Sequence, residues 1–205
     1  LSVSGGNERL KYYLSLGESH QSGHYKNGTT DVRLYNLRSN IDVQVTKYLQ
    51  VGMNLAGKVD DNHYPYFSTN ETYSHIFLYL PSWQPYWPGT DKLMPNRGSE
   101  NIMNMVSDAG GTRDIKTTAL QSTVSFKLDI PWVKGLWLDG SASYDAGYVF
   151  TKDFQTPDYV YYKDEKTGEL YKGRSGMGSD KAILSVKYEN PTNLYMTAKL
   201  NYDPR

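Results

Sequence analysis

Along residues 35–45 the chain alternates: Tyr35, Leu37, Ile41, Val43 and Val45 keep step with one another, and Asn36, Arg38, Asn40, Asp42 and Gln44 fill the places between. Period two is the repeat of a strand with one face in an apolar medium. After a short Thr46-Lys47-Tyr48 connection it resumes, with Leu49, Val51, Met53, Leu55 and Val59 on one side and Gln50, Asn54 and Lys58 on the other. The two segments read as a hairpin. The design recurs over 119–130, where Leu120, Val124, Phe126, Leu128 and Ile130 oppose Gln121, Thr123, Ser125, Lys127 and Asp129, and it returns over 136–150 after a Pro131-Trp132-Val133-Lys134-Gly135 turn. Weaker copies at 1–4, 10–20, 181–189 and 194–202 complete a series of about eight strands, with turns expected at Gly5-Gly6-Asn7-Glu8 and at Asn190-Pro191-Thr192-Asn193.

The connections between these segments alternate strictly. Tight turns at Gly5, Lys47, Pro131 and Pro191 fall on one rim, and long polar loops at about 21–31, 60–115 and 151–180 fall on the other. Outer-membrane barrels have this asymmetry, with short periplasmic turns and long extracellular loops, and their tilted strands need about 9–11 residues. The pattern therefore predicts an all-β antiparallel meander, one part of a large transmembrane β-barrel in the cell outer membrane. Aromatic residues near the expected strand ends, among them Tyr35, Tyr48, Trp132, Trp137, Tyr148 and Tyr188, match the girdles such barrels carry at the two interfaces.

Composition narrows the class further. The 22 basic and 22 acidic residues balance, so no global field draws the chain to nucleic acid. No cysteine is present, which excludes disulfides, thiolate metal sites and a cysteine nucleophile. A mean hydropathy of -0.65 is low for a membrane protein of helices, but strands that alternate lipid-facing and lumen-facing residues average out as polar. The chain opens on Leu1 and closes on Arg205 beside an alternating stretch, so residues 1–205 read as an internal part of a longer barrel, without a plug domain or the last strands.

Candidate chemistry is concentrated in the 60–115 loop, where Tyr64, Tyr66, Tyr73, Trp83, Tyr86 and Trp87 stand among prolines. Aromatic faces stack on sugar rings, so these residues suit ligand or lid contact. A loop this long also has to bury aromatics against itself as a satellite core, and that reading is preferred. Ser68-Thr69-Asn70-Glu71 has the form of a capping box and predicts a helix running to about Leu80, before Pro81. Arg38, Asn40, Asp42, Asn54 and Lys58 fall on the polar, lumen-facing side. Residues 164–169 read as a hairpin tip with Gly168 at positive φ rather than as a calcium loop. His20, His24, His63 and His75 lack the spacing of a helical zinc site, and no nucleophile elbow or paired acid and base appears, so no metal, cofactor or catalytic residue is expected.

The chain resembles the SusC-like family of TonB-dependent outer-membrane transporters of Bacteroidetes. The likeness rests on Ser4-Gly5-Gly6 with Lys11-Tyr12-Tyr13-Leu14-Ser15-Leu16-Gly17, on Tyr35-Asn36-Leu37-Arg38-Ser39-Asn40-Ile41-Asp42, on Val51-Gly52-Met53-Asn54-Leu55-Ala56-Gly57, and on Leu200-Asn201-Tyr202-Asp203. It implies a plugged barrel of about 22 strands in outer-membrane lipid. It further implies a SusD-like surface lipoprotein as lid, coupling to the TonB complex through an amino-terminal region outside these residues, and import of oligosaccharides or peptides. Two other classes share parts of the pattern. A soluble all-β carbohydrate-binding module would bury its apolar faces against a second sheet. A surface glycosidase would need two carboxylates about 5–9.5 Å apart in a cleft.

Overall fold

A computed structural model describes residues 1–25, 28–96, 101–175 and 179–203. Residues 26–27, 97–100 and 176–178, which fall within the three expected loops, lie outside it. The chain forms one large antiparallel sheet from β1 (Ser2–Gly6), β2 (Leu10–Ser22), β3 (Asp31–Gln44), β4 (Leu49–Pro65), β5 (Gly111–Asp129), β6 (Leu136–Gln155), β9 (Ile183–Glu189) and β10 (Thr192–Tyr202). From β1 to β6 neighbours in sequence are neighbours in the sheet, as in a meander, and β9 and β10 both pair with β6. A two-stranded hairpin, β7 (Tyr159–Lys163) and β8 (Leu170–Arg174), stands apart from it. Helices α1 (Thr69–Leu78) and α2 (Ile102–Met105) and a 3₁₀ turn at Asp108–Gly110 lie in the connection between β4 and β5.

The register settles sidedness. Val43 pairs with Val51, Val51 with Phe126, Phe126 with Gly140, and Gly140 with Ala198. The next row runs Tyr12, Ile41, Met53, Val124, Ala142, Met196. Side chains alternate across a pleated strand, so these rows share one face and the rows between them share the other. The intervening rows read Tyr13, Asn40, Asn54, Thr123, Ser143, Tyr195, and Lys11, Asp42, Gly52, Ser125, Ser141, Thr197. On that polar face hydroxyls bond across strands, Thr123 to Ser143 at 2.9 Å and Ser141 to Thr197 at 2.8 Å. The apolar face meets no second sheet: Met53 and Val124 remain 44% and 48% exposed. A sandwich module would bury this face against a second sheet, and among the described residues none covers it.

Tight and long connections alternate through β6. Asn7 Oδ1 accepts the backbone N–H groups of Arg9 and Leu10 and closes the first turn. Thr46 Oγ1 accepts those of Tyr48 and Leu49 in the second. Gly135, at φ +83, ends the third, where a Cβ would lie 1.9 Å from the Asp203 carbonyl oxygen, so only glycine fits.

The turn expected at Pro191 is absent. β9 and β10 both pair with β6 in one continuous register, from Ile183 opposite Gln155 to Tyr202 opposite Leu136, so Asn190 and Pro191 interrupt a single line of strand. The Pro191 carbonyl accepts from Gly147 N–H at 2.7 Å, but proline has no N–H to return. One rung is lost and the ladder resumes. Asn-Pro-Thr-Asn has turn composition, yet here it marks only this missing bond.

The strands also run further than their apolar alternation, β4 to Pro65 and β5 from Gly111. From Leu49 to Val59 the outward apolar positions of β4 span roughly 23–25 Å of height at a tilt of about 40–45°, the height of a bilayer's apolar band. The aromatics divide accordingly. Tyr35 and Tyr148 stand in the row at the top of that band and Tyr188 in the row above, whereas Tyr12 and Tyr144 sit within the band and Tyr13, Trp137 and Tyr195 are on the polar face. In the intact protein in a bilayer, Val124→Arg should cost about 2–4 kcal/mol and Thr123→Arg, one position away on the polar face, much less, as read from urea unfolding of both variants.

Candidate functional site: the crown of loops

Above Val59 strands β2 to β5 exchange their polarity, while the outward positions of β6 and β9 stay mostly apolar at Phe150, Phe154, Val186 and Tyr188. The outward rows become His20, Arg33, Asp61, Lys116 and then Ser22, Asp31, His63, Asp114, Lys152. Facing the other way, Val32, Leu34, Tyr64, Ile115 and Val149 now stand on the side that is polar lower down. The outward charges are paired, Arg33 with Asp31 at 3.0 Å and Lys116 with Asp61 at 3.7 Å. Charges on the outside and apolar groups within are what a wall needs once it has left lipid and has loops packed inside it.

The described loops fold on themselves. The fully buried apolar side chains Met105, Val106 and Val160 all belong to this region, not to the sheet. Helix α1 starts at the expected capping box: Ser68 is its N-cap, the Ser68 side chain accepts from Glu71 N–H, and the Glu71 carboxylate accepts from Ser68 N–H at 2.8 Å. The Ser68 hydroxyl, which donates to the Glu71 carboxylate at 2.6 Å, and then the Ser68 N–H hold that carboxyl below its ordinary value of 4.5. Asn101 is wholly buried; its Nδ2 donates to the carbonyls of Pro85 and Met94 at 2.8 and 2.9 Å, and its Oδ1 accepts from Met103 N–H at 2.9 Å. Asn104 Nδ2 donates to Asp158 and to the Tyr159 carbonyl, and Asp158 accepts from the Ser175 hydroxyl at 2.6 Å. Trp87 Nε1 donates to the Tyr161 carbonyl at 2.6 Å, and Tyr161 N–H donates to Leu93 O at 2.8 Å. The β4–β5 connection is thus bound to the β7–β8 hairpin along its edge.

His63 fastens the outer side. Its Nδ1 lies 2.6 Å from Asp114 and its Nε2 3.0 Å from Asp108, which also accepts from the Thr29 hydroxyl at 2.6 Å. Carboxylate oxygens only accept, so an imidazolium with both N–H groups satisfies both contacts.

On the inner side the loops leave a cavity of about 230 Å³, walled by Tyr25, Tyr64, Phe67, Thr72, Met105 and Arg113. A second space of about 420 Å³ shares Tyr25 and Tyr64 with it and adds His24 and Tyr73. Arg113 is held by Asp153 at 2.6 and 3.3 Å and lies 5.9 Å from the Tyr66 ring centre. Burial, and then the neighbouring Tyr73 phenol, raise the Tyr25 pKa. Of the aromatics singled out in the sequence, Tyr64 and Tyr73 line these spaces. The others support them: Tyr66 packs edge-on against Phe67 at 5.5 Å, Trp83 against Tyr79 at 5.5 Å, Tyr86 forms a bridge with Leu93, and Trp87 is the tie just described. Arg38, Asn40, Asp42, Asn54 and Lys58 form one column on the polar face of β3 and β4, where Asn40 pairs with Asn54 and Lys58 bonds Asp60 at 2.8 Å. Sequence reasoning did not reach Tyr25 and Arg113, because their partners lie 48 and 40 positions away in the chain. No group of three or more metal-ligating side chains occurs among the described residues.

An open sheet with one lipid-compatible face, tight turns on one rim and a folded crown on the other defines part of the wall of an outer-membrane β-barrel. No protein-family model matches the chain. Over 211 aligned residues it is 21% identical to TonB-dependent receptor P26 of Formosa agariphila, a match that takes in 100% of this chain and 19% of that receptor. The chain therefore spans about a fifth of the length of that relative. The solved RagAB peptide transporter shares the fold at a TM-score of 0.50 and 16% identity, over 98% of this chain and 30% of that one. The RagAB peptide importer in its 'closed-closed' state gives a TM-score of 0.43 at 14% identity. The chain is thus similar over its whole length to part of a TonB-dependent receptor, and it shares its fold with part of a solved transporter.

Three outcomes test the crown. Ser68→Ala should destabilise α1 by about 1 kcal/mol, seen as faster amide exchange over 69–78. Because the folded pKa of Glu71 is depressed, its contribution is complete above 4.5 and fades as pH falls through the lower folded value, so protection of α1 should drop in that acid window. Asn101→Ala leaves two buried carbonyls without donors and should loosen the 79–96 segment by about 2–3 kcal/mol, measured as protease sensitivity confined to the loops.

Proposed function

We propose that the chain is a stretch of the wall of an outer-membrane transporter that imports oligosaccharides or peptides, energised through TonB and closed from outside by a SusD-like surface lipoprotein. In this reading residues 1–205 are one part of the barrel domain, and the plug and the remaining strands come from the rest of the protein. Arg38, Asn40, Asp42, Asn54 and Lys58 line the lumen, where solvation is their first role. Tyr64 and Tyr73, with Tyr25 and Arg113, meet substrate or lid at the mouth, while Tyr66, Trp83, Tyr86 and Trp87 brace them. The supporting observation is the exchange of polarity at Val59, because a wall that faces lipid below and carries a folded crown above has its chemistry at the mouth of a pore. The RagAB neighbour, which shares the fold, is a peptide transporter, and that supports a transport reading.

The test uses the complete protein in its own bacterium. Replacing residues 66–110 by a short Gly-Ser linker should leave the barrel assembled, as shown by its heat-modifiable mobility, and should abolish uptake of labelled oligosaccharides or peptides that depend on the gene. Unchanged uptake with the loop removed would refute the reading, as would uptake that never depended on the gene.

A further inference from the structure

Ion pairs of the wall join positions on one strand or on neighbouring strands, as Arg33 does with Asp31, Lys116 with Asp61 and Arg113 with Asp153. His63 reaches further. From β4 its Nδ1 meets Asp114 on β5 at 2.6 Å, and its Nε2 meets Asp108, in the 3₁₀ turn that ends the β4–β5 connection, at 3.0 Å. The same Asp108 oxygen accepts from the Thr29 hydroxyl at 2.6 Å, and Thr29 N–H donates to the Val106 carbonyl at 3.3 Å. One imidazole therefore fastens two loops to the wall, the β2–β3 connection and the end of the β4–β5 connection. Both loops wall the inner cavity, the first through Thr30 and the second through Met105.

The proton on His63 decides whether both contacts can exist. An imidazolium donates from both nitrogens, whereas a neutral ring donates from one and turns a lone pair toward the other carboxylate, which repels it. Among the described residues neither Asp108 nor Asp114 has another cation within ion-pair distance. The remaining charges around the ring are engaged elsewhere or stand further off: Asp31, directly across on β3, is bound by His20 and Arg33, Asp61 on β4 is paired with Lys116, and Lys152 on β6 lies beyond Asp114. Burial lowers the His63 pKa, but the hydrogen bonds and charges of Asp114 and Asp108 outweigh it and hold the value above the ordinary 6.5. With the folded value raised, the tie is complete below 6.5 and is lost as pH climbs through the raised value. The inner side of the same turn is held separately, by the Thr156 hydroxyl on the Ala109 carbonyl and by Asn104 on Asp158, so the release is confined to Asp108 and Thr29.

We infer that His63 is a proton-operated tie: charged, it holds the 28–31 and 106–111 segments to the wall through Asp108, and neutral, it lets them go. The inference stands apart from the transport reading, since it needs only the geometry of the crown. The test is amide exchange in the complete protein in detergent between about pH 6 and about pH 9, expressed as protection factors so that the intrinsic pH dependence of exchange divides out. Two segments report the tie: 28–31, and 106–111, where Gly111 N–H donates to the Asp108 carbonyl. Their protection should fall by about two- to fivefold as pH rises, the scale of a part-exposed ion pair, while 49–59 of β4 keeps its own. His63→Gln should show the lowered protection at every pH. Asp114→Asn removes one of the two charges that favour the imidazolium and should move the transition to lower pH. Flat protection in the native protein, a fall that survives in His63→Gln, or a transition that Asp114→Asn leaves in place would each overturn the inference. So would a fall that extends to 49–59, because that is unfolding of the wall and not release of a tie.

Discussion

Backbone polar groups cannot be left unpaired in hydrocarbon, and the rest of this structure follows from that constraint. The pairing from β2 to β6 keeps an unbroken register, so every N–H and C=O of the interior strands in the apolar band has a neighbour to meet. Because the register does not slip, alternation along each strand becomes alternation across the sheet, and one face can be mainly apolar, with Ser39 and Ser122 among its polar exceptions within the band. The single flaw, at Pro191 opposite Gly147, shows what the constraint allows: one bond missing, and no change of register on either side.

The same constraint explains which parts of the fold the sequence displayed. Between Tyr35 and Val59 lipid faced one side and water the other, so the residues recorded the pleat, and the Leu37, Met53 and Val124 faces were readable from spacing alone. Above Val59 the environment changed while the strand did not. Asp60, Asp61, Asn62 and His63 are polar on both faces, and they read as loop although they continue β4. At Pro191 the error ran the other way, since residues typical of a turn occupied a strand that could tolerate them.

In the crown, what is local was legible and what is distant was not. The capping box joins Ser68 to Glu71 within one turn, and the tip at Gly168, with φ +75, needs only its neighbours. The fastening of the loops depends on Asn101, Asn104 and Asp158, whose partners are set by the folded path of the chain. A buried asparagine has no sequence mark that separates it from a solvated one. The cavity-lining Tyr25 and Arg113 escaped notice for the same reason, and among the proline-rich aromatics that stood out Tyr66, Trp83, Tyr86 and Trp87 contact other parts of the crown.

The height at which the outward face turns charged has a consequence for where the protein can reside. The apolar belt on β4 ends at Val59, and Arg33, Asp61 and Lys116 begin in the next outward row. A bilayer of about 30 Å hydrocarbon thickness would have to thin around the wall or draw those ion pairs into its edge, whereas the thinner bacterial outer membrane matches the belt without distortion. Hydrophobic mismatch therefore sorts this wall among membranes, and one row of salt-bridged side chains sets its preferred thickness.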